Sequence, residues 1–152
     1  MKTVITYGTF DLFHVGHVNI LERLRAMGDR LIVGVSSDEF NQVKGKQSIF
    51  CYEERARIIS SLRSVDMVIP EVCWQQKEHD IQKYEVSVFG IGEDWKGKFD
   101  DLKPHCEVVY LPRSPSISTT QVKRALSKLD SEKIQQIKEG LDNMLNIVRA
   151  ME

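Results

Sequence analysis

The sequence has no long hydrophobic run. The apolar stretch within its first ten residues, MKTVITYGTF, is too short for a signal h-region. No later stretch offers the ~20 consecutive apolar residues that a membrane-spanning helix needs. We therefore expect a cytoplasmic protein with no membrane insertion. Cysteine is scarce: Cys51, Cys73 and Cys106 are odd in number and widely spaced, with no C-x-x-C pair. That argues against a disulfide framework and against a zinc knuckle. Charge of one sign is lacking too, since 21 Lys and Arg against 22 Asp and Glu leave a formal net charge of −1. No whole-chain field favours nucleic acid or an anionic membrane. The dinucleotide fingerprint G-x-G-x-x-G is also missing.

What is present fits one ordinary domain. The 152 residues are 41% hydrophobic and 28% charged, enough to bury a core without staples. Short β-branched runs at 3–7, 31–35, 67–69, 86–89 and 107–111 read as strands. Helical periodicity marks 17–27, 52–62, 75–84, 118–126 and 131–151. The stretch 36–50 shows no sustained period and carries Lys44-Gly45-Lys46, so most of it reads as a mobile loop. This alternation predicts an α/β fold with a Rossmann-like, mainly parallel sheet, helices on both faces and a C-terminal amphipathic helix. Residues 1–129 form the expected domain, and 130–152 a helical extension of it. In that extension Ile134, Ile137, Leu141, Met144, Leu145 and Val148 recur at helical spacing. The stripe fits either packing on its own domain or a dimer interface.

Two segments stand out as sites for chemistry. The first strand runs into Gly8-Thr9-Phe10-Asp11-Leu12-Phe13-His14-Val15-Gly16-His17 and then into a helix. A glycine turn permits close backbone approach, and a helix start offers unpaired N–H groups to an anion. His14 and His17 straddle that junction and can face one phosphate. A metal pair is the poorer reading, because no third and fourth ligand follow at zinc-like spacing. The second segment is Arg113-Ser114-Pro115-Ser116-Ile117-Ser118-Thr119-Thr120, between the last strand and a helix. Ser118 and Gln121 fit a capping box. Capping leaves Arg113 and the density of hydroxyls unexplained, and these suit a second phosphate. Together the two segments suggest a polyphosphate bridging two helix N-termini on one sheet edge.

At these residues the sequence resembles the cytidylyltransferase family of the H-x-G-H nucleotidyltransferases. The matching marks are Gly8–Asp11 (GTFD), His14–His17 (H-x-G-H) and Arg113–Thr120 (R-x-x-x-I-S-T-T). Further likeness covers Asp38–Asn41, Tyr52 with Arg55, Arg63-x-x-Asp66 and Gly92–Asp100, and it extends to about Leu129. The late motif departs from many relatives, with Ser-Pro-Ser in place of Thr-Glu-Gly, and Pro115 stiffens that loop.

The resemblance implies transfer of CMP from CTP to glycerol 3-phosphate, with pyrophosphate released and Mg²⁺ or another divalent cation required. By the same resemblance His14, His17, Lys44, Lys46 and Arg113 are catalytic. Thr9, Phe10, Asp94, Trp95, Ser118 and Thr119 join them around the nucleotide. Asp11, Arg55, Arg63, Trp74 and Lys77, with both loop lysines, surround the acceptor, and Asp11 is the protein group nearest the metal. A homodimer is implied as well, and a role in making a teichoic-acid-like or capsular polymer. The chemistry suits the residues. A phosphate monoester is largely dianionic at neutral pH, its second pKa being about 6. It needs no strong base; it needs donors and positive charge held in line with the leaving group. Transfer from ATP, another phosphorylated acceptor, and CTP binding without turnover are the competing expectations.

Overall fold

Five runs rich in β-branched residues each supply a strand, and in the three central ones the side chains alternate between two buried faces. The computed structural model describes residues 1–115 and 118–151, apart from the side chain of Leu129. The strands are β1 (Thr3–Gly8), β2 (Arg30–Ser36), β3 (Met67–Glu71), β4 (Val86–Gly92) and β5 (Glu107–Leu111). The helices are α1 (Val15–Arg25), α2 (Asp38–Val43), α3 (Tyr52–Ser60), α4 (Gln76–Lys83) and α5 (Thr119–Ala150). Short 3-10 turns at Glu93–Trp95 and Asp100–Leu102 link β4 to β5.

All strand pairs are parallel, in the order β3-β2-β1-β4-β5. The chain steps outward from β1 to β3 on one side, then returns to lay β4 and β5 on the other. The switch point therefore lies between β1 and β4, and a crevice opens beyond their carboxyl ends. One face of the sheet packs Val4, Leu31, Val33, Val35 and Val88 against Leu21 and Leu24 of α1 and Ile59 of α3. The other packs Ile5, Tyr7, Ile32, Phe89 and Ile91 against Ile81 of α4 and against Phe99 and Leu102. Helices thus cover both faces, as the alternation predicted.

Two elements differ from expectation. Within the stretch read as a loop, 38–43 is the helix α2, capped by Ser37, whose Oγ accepts the Phe40 N–H at 3.1 Å. Its six residues are too few to show a period, yet Phe40 and Asn41 are buried. The tail, read as two helices broken near Leu129, is one continuous helix. Ser131, the first residue of the second expected helix, donates its Oγ–H back to the Ser127 carbonyl at 3.0 Å, inside the helix. Residues 1–117 and 118–152 form separate compact units. Ser116 and Ile117 of the late motif lie outside the described residues. Among the described residues no helix is long and apolar enough to cross a membrane.

Candidate active site

The loop leaving β1 is held in an unusual conformation. Phe10 and Leu12 adopt φ of 53° and 48°, left-handed values that a side chain disfavours. Gly8 allows this, because a Cβ there would meet the Phe10 ring at 2.9 Å. Asp11, 3% exposed, fixes the loop from within. Its Oδ2 accepts the Ile49 N–H at 2.7 Å and its Oδ1 the Phe50 N–H at 3.0 Å. Arg55 is buried beside it and donates to the Thr9 carbonyl at 2.7 Å, the Phe50 carbonyl at 2.9 Å and Asp38 Oδ1 at 2.8 Å. Thr9 Oγ1 donates to Asn41 Oδ1 at 2.9 Å. Asp11 and Arg55 therefore join the β1 loop to the segment that follows α2.

The two histidines form a reciprocal cap on α1. His14, the N-cap, accepts the Gly16 N–H on Nδ1 at 3.0 Å. His17 accepts the His14 N–H on its own Nδ1 at 3.2 Å. An accepting Nδ1 requires a neutral ring with its proton on Nε2. The rings stack with centroids 4.0 Å apart, and Phe13 and Phe10 enclose His17 from two sides. Burial, then the neighbouring His14, lowers the His17 pKa to about 4, and burial lowers that of His14. The helix cap thus fixes two neutral imidazoles whose N–H groups are both on Nε2.

A second cluster stands at the carboxyl ends of β2 and β3. Glu71, 2% exposed, accepts Lys77 Nζ on Oε1 at 2.7 Å and Ser36 Oγ on Oε2 at 2.6 Å. Lys44 Nζ donates to Ser36 Oγ at 2.7 Å and lies 3.8 Å from Glu71 Oε2. Burial brings the Lys44 pKa down to about 8, against the opposing pull of Glu71. Lys77 also lies over Tyr7 and Trp74, at 4.6 and 5.0 Å from their centroids. Tyr7 donates to Asp80 Oδ2 at 2.8 Å, and burial pushes its phenol far up from the ordinary value. An aromatic row, Phe40–Trp74–Trp95–Phe99, runs beside the lysines. Lys46 reaches that row too, 5.8 Å from the Trp95 centroid.

Of the residues expected at the site, the fold gathers most at this edge. Thr9, Phe10, Asp11, His14 and His17 lie on or beside the β1 exit, and Lys44, Lys46, Trp74, Lys77 and Trp95 share the aromatic cluster. Arg113 follows β5 and forms an ion pair with Asp94 at 2.6 Å, an exposed contact between two expected nucleotide residues. Arg63 is not gathered: it precedes β3 and so lies at the amino edge of the sheet, exposed. Ser118 and Thr119 begin α5 in the second unit, where Ser118 and Gln121 form the expected capping box. Sequence reasoning passed over Ser36, Glu71, Tyr7 and Asp80. A carboxylate just past an apolar strand was the available signal for Glu71. Pro70, tolerated because β3 is an edge strand, made that strand look two residues shorter. No group of three or more His, Cys, Asp or Glu able to hold a metal occurs among the described residues.

Residues 5–135 match the family described as cytidylyltransferase-like. The chain belongs to that family. Two relatives of this cytidylyltransferase-like chain are named glycerol-3-phosphate cytidylyltransferase. One, from Staphylococcus aureus, is 54% identical over 132 residues, which is 87% of this chain and all of the relative. The other, from Bacillus spizizenii, is 57% identical over 129 residues, 85% of this chain and again all of the relative. Among solved structures, a lipopolysaccharide core biosynthesis protein from Thermoplasma volcanium superposes with a TM-score of 0.66 at 26% identity. It covers 75% of this chain and 98% of its own. A putative nicotinate-nucleotide adenylyltransferase from Vibrio parahaemolyticus shares the fold, with a TM-score of 0.59 at 17% identity, over 84% of this chain and 88% of its own.

Proposed function

We propose that the chain transfers CMP from CTP to sn-glycerol 3-phosphate, giving CDP-glycerol and pyrophosphate. The observation that carries this reading is end-to-end likeness, above 50% identity, to proteins bearing that activity in their names. A phosphate oxygen of the acceptor attacks the α-phosphorus of CTP in line. The new P–O bond forms as the bond to the bridging α,β-oxygen breaks, and pyrophosphate leaves with that electron pair. The acceptor, already a dianion, surrenders no proton.

The residues divide by what they supply. The Nε2–H groups of His14 and His17 donate to the triphosphate where charge grows, aided by Arg113. Thr9, Phe10, Asp94, Trp95, Ser118 and Thr119 frame the nucleotide. Lys44, Lys46 and Lys77 neutralise the phosphates that must approach one another, and Trp74 flanks the acceptor. Asp11 and Arg55 act as positioning residues that hold the β1 loop. Asp11 is engaged with two amides and has no companion ligands among the described residues, whose donors do not fit a resident cation. Magnesium then arrives as part of the substrate, on the phosphates of CTP. We further propose a cytoplasmic homodimer whose product feeds a teichoic-acid-like or capsular polymer. Residues 1–129 serve as the catalytic domain and 130–152 as its extension.

Pyrophosphate release with Mg²⁺, comparing CTP with ATP and with or without glycerol 3-phosphate, tests the reading. Release with CTP that depends on the acceptor is the expected result. Release with ATP alone overturns the base assignment. Tight CTP binding with no release for any phosphorylated acceptor makes the chain a binding module.

A further inference from the structure

The long helix α5 continues past residue 135, where the family match ends. From Ile134 onward six of its apolar residues form one seam, with Leu145 and Ile147 on its flanks. Ile134, Ile137, Leu141, Met144, Val148 and Met151 are separated by three and four residues alternately, the a/d seam of a coiled coil. Each is more than half exposed. The polar pairs lie elsewhere on the helix: Lys128–Glu132 at 3.9 Å and Gln135–Glu139 at 3.1 Å occupy b and f positions, away from the seam.

We infer that this seam pairs with the same seam of a second copy of the chain, antiparallel and centred between Leu141 and Met144. In that register every a position meets a d position: Ile134 faces Met151, Ile137 faces Val148, and Leu141 faces Met144. The seam closes on itself with no residue left over. The overlap is about 27 Å long at 1.5 Å per residue.

The flanking positions select this direction. A parallel pair sets the g position of one helix beside the following e position of the other. That places Lys133 against Lys138 twice. In the antiparallel pair Lys138 lies along Leu145, where its aliphatic stem covers apolar surface and its ammonium reaches water. Ile147 then sits over Gly140. Nothing lies within 4 Å of the place a Gly140 Cβ would occupy. A glycine inside a helix weakens it, and here its missing side chain makes room for the isoleucine.

This inference refines the homodimer proposed above and does not depend on which substrates the enzyme takes. Sedimentation velocity on the full chain, beside Ile137→Glu and Leu141→Glu, tests it, with circular dichroism to confirm that α5 remains helical. The expected result is a dimer whose dissociation constant rises at least tenfold in each variant. A dimer unmoved by either substitution overturns the inference and leaves the homodimer standing on another surface. A monomeric wild type, its stripe folded onto its own chain, overturns both. Direction is read from disulfide trapping in protein whose three native cysteines are replaced by serine. Ile134→Cys and Met151→Cys should cross-link when mixed, and neither should cross-link alone. Self-linking of Ile134→Cys alone sinks the antiparallel pairing.

Discussion

The histidine pair and the lysine cluster lie at the same edge of one sheet, and burial acts on both, yet they end in opposite states. At the β1–α1 junction desolvation meets no nearby compensating carboxylate strong enough to offset it, and His17 stays neutral, with a pKa of about 4. At the ends of β2 and β3 Glu71 opposes desolvation, so Lys44 remains largely charged at neutral pH with a pKa of about 8. The first region therefore supplies fixed hydrogen-bond donors, and the second supplies charge. A transfer between two anions needs both kinds of help. Donors stabilise the growing charge at the α-phosphorus, and cations lower the repulsion that keeps the reactants apart.

The largest test removes the support of the charged region. Glu71→Ala leaves Lys77 buried without its 2.7 Å partner and Lys44 without its balancing charge. Breaking a buried pair from one side costs about 3–5 kcal/mol. We expect chemical denaturation to show a loss of that order, far above what removing the exposed Arg113–Asp94 pair would cost. Equal losses at the two sites would erase the distinction between them.

The next test acts on the neutral region. His17→Ala removes one preorganised donor and one member of the α1 cap, and should cost about 2.7–4 kcal/mol of transition-state stabilisation, roughly 10²–10³ in kcat. The lost cap also destabilises the helix by about 1 kcal/mol. Turnover and thermal stability must be measured together, and wild-type turnover in folded protein would remove His17 from the mechanism. In contrast, Glu71→Gln should move the alkaline limb of kcat/KM for the acceptor to lower pH, because Glu71 is what raises the Lys44 pKa. An unmoved limb would mean that Lys44 is not the titrating group.

How far the site was legible in the sequence follows the same division. The histidine junction depends on residues within ten positions of one another, so strand, turn and cap could be read together. The lysine cluster joins Ser36, Lys44, Glu71 and Lys77 across two crossovers, and no local pattern links them. Lys44 looked like solvated loop because α2 is one and a half turns long. Arg63 looked like a site residue by resemblance, yet its place before β3 puts it at the far edge. Parallel strands alternating with helices made the sheet legible; the continuity of α5 was not, since 127–130 carries a single apolar residue and shows no period.

The smallest effect expected is an absence of titration, and it separates the two regions most cleanly. His17, with a folded pKa near 4 against an ordinary 6.5, takes up no proton between pH 7 and 5, whereas the unfolded chain does. Its contribution to stability is therefore full above pH 6.5 and declines as the pH falls toward 4. Lys44, lowered from 10.5 to about 8, obeys the same sign in a higher window: its contribution is full above about 10.5 and declines toward 8. At pH 7 the fold consequently bears a cost for keeping Lys44 charged and none for keeping His17 neutral. Histidine resonances followed by NMR should leave His17 unshifted down to about pH 5, while Lys44→Met should flatten the rise of unfolding free energy between pH 8 and 10. A His17 ring that titrates near 6.5 would gain charge between pH 7 and 5, and the first region would no longer be one of fixed neutral donors.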